Sequence, residues 1–158
     1  HDGTQMGEII ARGDSVMRGY HNLPEETARA LAGGWFHTGD LATIDDEGYL
    51  QIKDRAKDII ISGGENISSL ESEDVYYQHP AVLEAAVYGE PDALWGEIVA
   101  AAVVLRPGAT ASIEELLDFC RVRLTGFKQI RRMTFRAELP RTGSGKIMKR
   151  ALRNAEPA

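Results

Sequence analysis

The sequence predicts an α+β protein in which a β-rich stretch precedes a small mixed α/β domain. Three observations carry that expectation. Up to about residue 53, short apolar segments alternate with turn residues such as Gly33-Gly34 and Asp46-Glu47-Gly48. Ile98 to Leu105 is an unbroken apolar run, which suits a strand covered on both faces. Ser112 and Glu115 form a capping box ahead of Ile113, Leu116, Leu117, Cys120 and Leu124, which recur at helical spacing.

Taken in order, Gly7 to Arg12 and Val16 to Tyr20 read as short strands. Pro24, Glu25 and Glu26 open a helix, because proline tolerates the first helical position and acidic side chains favour the first turn. Leu41 to Asp45 and Gly48 to Lys53 read as a hairpin. This β-rich piece has little apolar material for a core of its own, so it reads as the tail of something larger. Asp58 to Ser62 is a short strand, Leu70 to His79 a helix closed by Pro80, and Val82 to Tyr88 a strand beside Ile98 to Leu105. The helix over Ser112 to Leu124, a strand over Met133 to Ala137 and a short helical pattern over Ile147 to Arg153 complete the domain.

Size and charge bound the function. The 158 residues allow one ordinary domain, or a small one with part of another. The net charge of −6 argues against general nucleic-acid binding. Eight consecutive apolar residues are too few to span a bilayer, so no transmembrane segment is expected. The single Cys120 excludes an internal disulfide and gives no zinc-ligand spacing; it lies on an apolar stripe and reads as a packing residue. His1 is not a natural start, so the N-terminus is expected to be a cut that leaves any targeting segment outside the sequence.

Four motifs point to chemistry. Leu139-Pro140-Arg141-Thr142-Gly143-Ser144-Gly145-Lys146-Ile147 puts a lysine on a glycine-rich turn ahead of a helical pattern. It is not a P-loop, which needs glycine where Pro140 stands and Ser or Thr where Ile147 stands. Alone it would be a basic surface turn. It follows, however, Trp35-Phe36-His37-Thr38-Gly39-Asp40, then Gly48-Tyr49-Leu50-Gln51-Ile52-Lys53-Asp54-Arg55-Ala56-Lys57-Asp58, then Ser62-Gly63-Gly64-Glu65-Asn66-Ile67-Ser68-Ser69. In this order the segments resemble the adenylate-forming (AMP-binding) enzymes, in their acyl-CoA synthetase branch. The resemblance runs from about Gly7 to Arg153, and several motifs in order are far harder to meet by chance than one.

The resemblance implies a division and a set of roles. Residues 1–56 would be the β-rich remnant of a large N-terminal AMP-binding domain, and 57–158 the mobile C-terminal domain. Asp40 would accept hydrogen bonds from the hydroxyls of the ATP or AMP ribose, and Arg55 would contact the same sugar. Lys57 would be the hinge of the small domain. Gly63 and Gly64 would line the pantetheine tunnel in thioester formation. Lys146 would be catalytic, meeting the carboxylate substrate and the ATP α-phosphate while the acyl-adenylate forms. Trp35, Phe36 and His37 are expected to pack and hold their loop. The segment Phe127-Lys128-Gln129-Ile130-Arg131-Arg132 departs from the family at Ile130, where proline is usual, and its basic residues are candidates for CoA phosphates as well as for a solvated cluster.

The function so implied is the C-terminal part of an ATP-dependent acyl-CoA synthetase acting on a carboxylic acid, with a fatty acid preferred. Its substrates would be ATP with magnesium, CoA and the acid; no tightly bound cofactor and no metal ligands in this chain are expected. The other partner is the N-terminal domain of the same enzyme, without which this chain is expected to be inactive, and the setting cytoplasmic. Two alternatives stay open. One is the adenylation domain of a peptide synthetase or an aryl-CoA ligase; the other is a non-catalytic domain that binds a nucleotide or a partner.

Overall fold

A computed structural model describes residues 3–124 and 126–153. The chain divides into two compact units, His1–Lys57 and Asp58–Ala158. The first is a three-stranded antiparallel sheet, β1 (Gly7–Ala11), β2 (Phe36–Ile44) and β3 (Leu50–Arg55), in that order, with one short helix, α1 (Pro24–Ala30). Its buried described residues are Ala42, Thr43 and Asp54, whereas Ile10, Tyr49, Leu50 and Ile52 stay exposed. Large apolar side chains thus lie on its surface, as the shortage of core material implied.

The segment Val16 to Tyr20 is not a strand. Its backbone groups are taken by turns: the Val16 amide donates to the Gly13 carbonyl at 3.1 Å and the Tyr20 amide to the Thr27 hydroxyl at 2.9 Å. The hairpin is longer than expected on its first arm, because β2 begins at Phe36.

The second unit is built around β7 (Gly96–Leu105). It pairs antiparallel with β6 (Val82–Asp92) and parallel with β8 (Arg132–Phe135), and its start meets the small hairpin of β4 (Ile60–Ser62) and β5 (Glu65–Ile67). Residues alternate between the faces of a strand, and β7 buries both. Val99, Ala101 and Val103 join a core with Val75 and Tyr76 of α2 (Ser69–Tyr77) and Leu116 and Cys120 of α3 (Ile113–Arg121). Ala100, Ala102 and Val104 face a second cluster with Leu139 and with Leu152 of α4 (Lys149–Arg153). Burial raises the Cys120 thiol pKa, which keeps it protonated and unreactive.

Local chemistry sets the ends of these helices. Ser112 accepts the Glu115 amide at 3.1 Å, as its capping box implied, and Ser68 accepts that of Glu71 at 3.3 Å. Helix α3 stops at Arg121, short of Leu124, because the amides of Arg123 and Leu124 both turn back to the Cys120 carbonyl. Leu124 stays buried all the same. The last helix starts at Lys149 rather than Ile147, so Lys146 precedes it by three residues and does not occupy its N-terminus.

One buried ion pair ties α2 to α4. Lys149 Nζ lies 2.8 Å from Glu73 Oε1, and both side chains are about nine-tenths buried. Glu73 Oε1 also accepts the Val87 amide on the free edge of β6, and the Tyr77 hydroxyl one turn later bonds Ala85 on the same edge. The helix thereby closes an edge that would otherwise present open backbone groups. Lys149→Met should lower the unfolding free energy by about 3 kcal/mol, because a buried carboxylate is left without its partner. Adding Glu73→Gln should recover more than half, since the amide oxygen still serves Val87. Chemical denaturation reads both, and an equal loss in single and double variants would contradict the charge argument.

Candidate functional site

In the first unit, Asp40 and Arg55 stand opposite one another on β2 and β3, and Arg55 Nε donates to Asp40 Oδ1 at 3.0 Å. Both side chains remain accessible, 35% for Asp40 and 47% for Arg55. Asp40 occupies a distorted stretch of β2. Glu8 pairs with Leu41 and Ile10 with His37, so Thr38, Gly39 and Asp40 together oppose Ile9 alone. Such a bulge re-aims the side chains it carries. Gly39 has φ +74°, a left-handed conformation open to glycine at little cost.

The polar groups of the bulge are satisfied by neighbours in the same unit. The Gly39 amide donates to Glu8 Oε1 at 3.0 Å, and the Gly39 carbonyl accepts the Ala56 amide at 2.8 Å. Thr38 Oγ1 donates to the Ile9 carbonyl at 2.7 Å and accepts the Asp40 amide at 3.1 Å. His37 Nδ1 lies 2.7 Å from Glu8 Oε2. An ionised carboxylate only accepts, so the proton of this contact sits on Nδ1. The bond to Glu8 raises the pKa of His37; the bond from His37, then that from Gly39, lowers that of Glu8. Glu8 was absent from the sequence reading, because nothing local marks a carboxylate that acts on residues 29 and 31 positions away.

Lys57 lies in the turn 56–58, exposed, and its ammonium has no hydrogen bond or ion pair among the described residues. The division between the units falls directly after it.

In the second unit, Gly63 and Gly64 form the two-residue connection of the β4–β5 hairpin, with φ +60° and +87°. Both central residues in the left-handed region match a tight hairpin turn of the primed type. A side chain at Gly63 would begin 2.9 Å from the Trp95 ring, whereas Gly64 opens onto free space. The Gly63 amide donates to the Trp95 carbonyl at 2.9 Å and the Ile61 amide to Glu97 Oε2 at 2.9 Å, which braces the turn from β7. The Arg131 guanidinium lies over the Trp95 ring at 4.6 Å. Of the three basic residues in that segment, Lys128 pairs with Glu71 and Arg132 with Glu90, while Arg131 stacks. Ile130 is buried in the main core, so its apolar side chain is used for packing.

Lys146 sits on a separate hairpin. Arg141 and Ile147 form an antiparallel bridge; the Thr142 amide donates to the Lys146 carbonyl at 2.8 Å, and the Lys146 amide to Thr142 Oγ1 at 3.1 Å. Arg141 bonds the Gly145 carbonyl at 2.7 Å and pairs with Glu84 of β6. Ile147 packs on the second core cluster, and Lys149 follows in its buried pair. The Lys146 ammonium is exposed and has no hydrogen bond or ion pair among the described residues. No helix dipole backs it, because α4 begins three residues later and has five residues; the cationic character of this tip comes from the ammonium itself. No hydrogen bond, ion pair or ring contact among the described residues joins this hairpin to the Gly63-Gly64 turn.

Among the described residues no group of three or more His, Cys, Asp or Glu could hold a metal, and no helix is long and apolar enough to cross a membrane.

Comparison with known proteins agrees with the motifs. The AMP-binding enzyme C-terminal domain matches residues 71–146. The chain is 47% identical over 156 residues to 2-methylpropanoate–CoA ligase CCL4 of Humulus lupulus, covering 97% of this chain and 28% of that protein. It is also 47% identical to a probable peroxisomal acyl-activating enzyme 5 of Arabidopsis thaliana, covering 96% and 28%. Among solved structures, the o-succinylbenzoate CoA synthetase of Bacillus subtilis, in complex with its acyl-adenylate intermediate, superposes with a TM-score of 0.89 at 39% identity, over 99% of this chain and 32% of that one. The chain therefore spans under a third of the length of the relatives it matches. With relatives that are acyl-CoA and acyl-activating enzymes and structural neighbours that form adenylates, this chain belongs to the adenylate-forming, AMP-binding enzyme superfamily.

Proposed function

We propose that this chain works as the C-terminal part of an ATP-dependent acyl-CoA synthetase. The observation that carries the reading is the Lys146 ammonium, exposed and without an ion pair among the described residues, at the tip of a hairpin whose neighbours Arg141 and Lys149 are both held by carboxylates. A cation kept unpaired on a rigid arm suits a reaction in which negative charge builds up between two anions. The carboxylate oxygen of the acid attacks the α-phosphorus of ATP, and the bond to pyrophosphate breaks. The CoA thiolate then attacks the acyl carbonyl and AMP departs, a better leaving group than hydroxide. Magnesium enters as the ATP complex.

The other residues divide between the two steps. Asp40 and Arg55 hold the nucleotide ribose, an assignment supported by their direct contact and by their accessibility. Gly63 and Gly64 line the path of the pantetheine arm, where the absence of a side chain at Gly64 leaves open space. Arg131, stacked rather than ion-paired, is the basic residue of its segment best suited to meet a CoA phosphate. Lys57, unpaired in a turn at the division between the units, is the pivot that lets one domain serve both steps. The acid is a short or fatty carboxylic acid; the name of the Humulus lupulus relative favours a short one. The setting is cytoplasmic, with the peroxisome as the alternative that the Arabidopsis thaliana relative suggests.

In the enzyme that carries this chain, Lys146→Ala should lower the rate of adenylate formation by about 10²–10³, the range for loss of one positioned charge-stabilising donor. Thioester formation from pre-made acyl-adenylate should stay near the wild-type rate. Equal losses in the two half-reactions, assayed separately, would reduce Lys146 to a structural residue.

Gly63→Ala should act on the other step. The new Cβ would meet the Trp95 ring and sit at a φ that alanine disfavours by about 1 kcal/mol. The turn should shift, slowing the thioester step about tenfold and leaving adenylation within about threefold. A variant that slows adenylation more than thioester formation would remove the turn from the CoA path.

A further inference from the structure

The bulge that carries Asp40 is held from β1 by the Glu8 side chain. Glu8 stands on β1 where the pairing with β2 changes register, and its two oxygens serve one residue of the bulge and one that flanks it. Oε1 takes the Gly39 amide at 3.0 Å, next to Asp40 in the chain; Oε2 lies 2.7 Å from His37 Nδ1, at the other end of the distortion. Three residues packed opposite one leave backbone groups off the regular ladder, and an amide left without a partner would pull the bulge toward a different shape. Thr38 meets part of that need within the bulge; the Gly39 amide is met by Glu8.

We propose that Glu8 is a positioning residue for the nucleotide sugar: it staples the bulge at Gly39 and His37 so that the Asp40 carboxylate faces the ribose hydroxyls. This inference rests on the ribose role proposed for Asp40. It gives His37 a second use beyond packing, because the imidazole locks the carboxylate in the orientation that reaches Gly39. The contact is charge-assisted when His37 is protonated, and the raised pKa of His37 and lowered pKa of Glu8 agree with that pairing. Glu8 itself need not touch substrate.

The test compares ATP with 2′,3′-dideoxy-ATP in the enzyme that carries this chain, reading acid-dependent pyrophosphate release. The quantity of interest is the ratio of kcat/KM for the two nucleotides. Wild type should prefer ATP strongly, and Asp40→Ala should lose most of that preference. Glu8→Ala should lower the preference about tenfold, the size expected for a misplaced charged hydrogen bond. It should raise KM for ATP, with KM for the acid unchanged. Glu8→Gln, which keeps an oxygen for the Gly39 amide, should retain most of the preference. Circular dichroism and melting establish that the variants are folded; if Glu8→Ala is not, Glu8→Thr replaces it, since threonine suits a strand and is too short to span both partners. A wild-type enzyme indifferent to the sugar hydroxyls would overturn the ribose reading of Asp40. A discriminating wild type together with a folded Glu8→Ala of undiminished preference would overturn the role of Glu8 alone, as would a Glu8→Gln that loses as much as alanine.

Discussion

The second unit depends on β7 being apolar on both faces. A strand buried on both faces can carry a different layer on each, and here the two layers have different tasks. The face with Val99, Ala101 and Val103 anchors the larger helices and the main core. The face with Ala100, Ala102 and Val104 is lined by small residues, and on it rest Leu139, Ile147 and Leu152, which bracket the Lys146 hairpin. The lysine is thereby carried on an arm rooted in the sheet. A polar residue in the middle of β7 would disturb both layers, since either face would then hold an unsatisfied group.

Charge is distributed with the same economy. Arg141 and Lys149 flank Lys146, and each is neutralised by a carboxylate, Glu84 on β6 and Glu73 on α2. The flanking pairs fix the arm; the central ammonium has no ion pair among the described residues. In the first unit the order is reversed. Asp40 is engaged by Arg55, both remain accessible, and the bulge around them is held by the Glu8 carboxylate, the Thr38 hydroxyl and the Ala56 amide. One unit presents a cation on a clamped hairpin, and the other a carboxylate on a bulge held by Glu8.

Much of this was legible in the sequence, for identifiable reasons. The apolar run of β7 and the capping box of α3 report on local forces, and the structure follows both. Gly63-Gly64, singled out in the sequence only for a tunnel role implied by resemblance, forms a tight turn, because glycine suits two successive left-handed positions readily. The failures come from partners distant in sequence. Val16 to Tyr20 has the composition of a strand and lacks a neighbour to pair with. The helical pattern after Lys146 is real from Lys149, whereas the bridge between Arg141 and Ile147 claims the residues before it. Glu8, Trp95 and Glu97 support the candidate residues and their neighbours across 29 to 36 positions, through contacts that no local spacing encodes.

In the function proposed above, this chain serves an enzyme that activates an acid as its adenylate before CoA takes part. Isotope exchange between labelled pyrophosphate and ATP, in the enzyme that carries the chain, isolates that step. Exchange should require the carboxylic acid and proceed without CoA, because the first step is complete and reversible by itself. Exchange that appears only when CoA is present, or transfer that releases phosphate and ADP with no exchange of pyrophosphate, would contradict it.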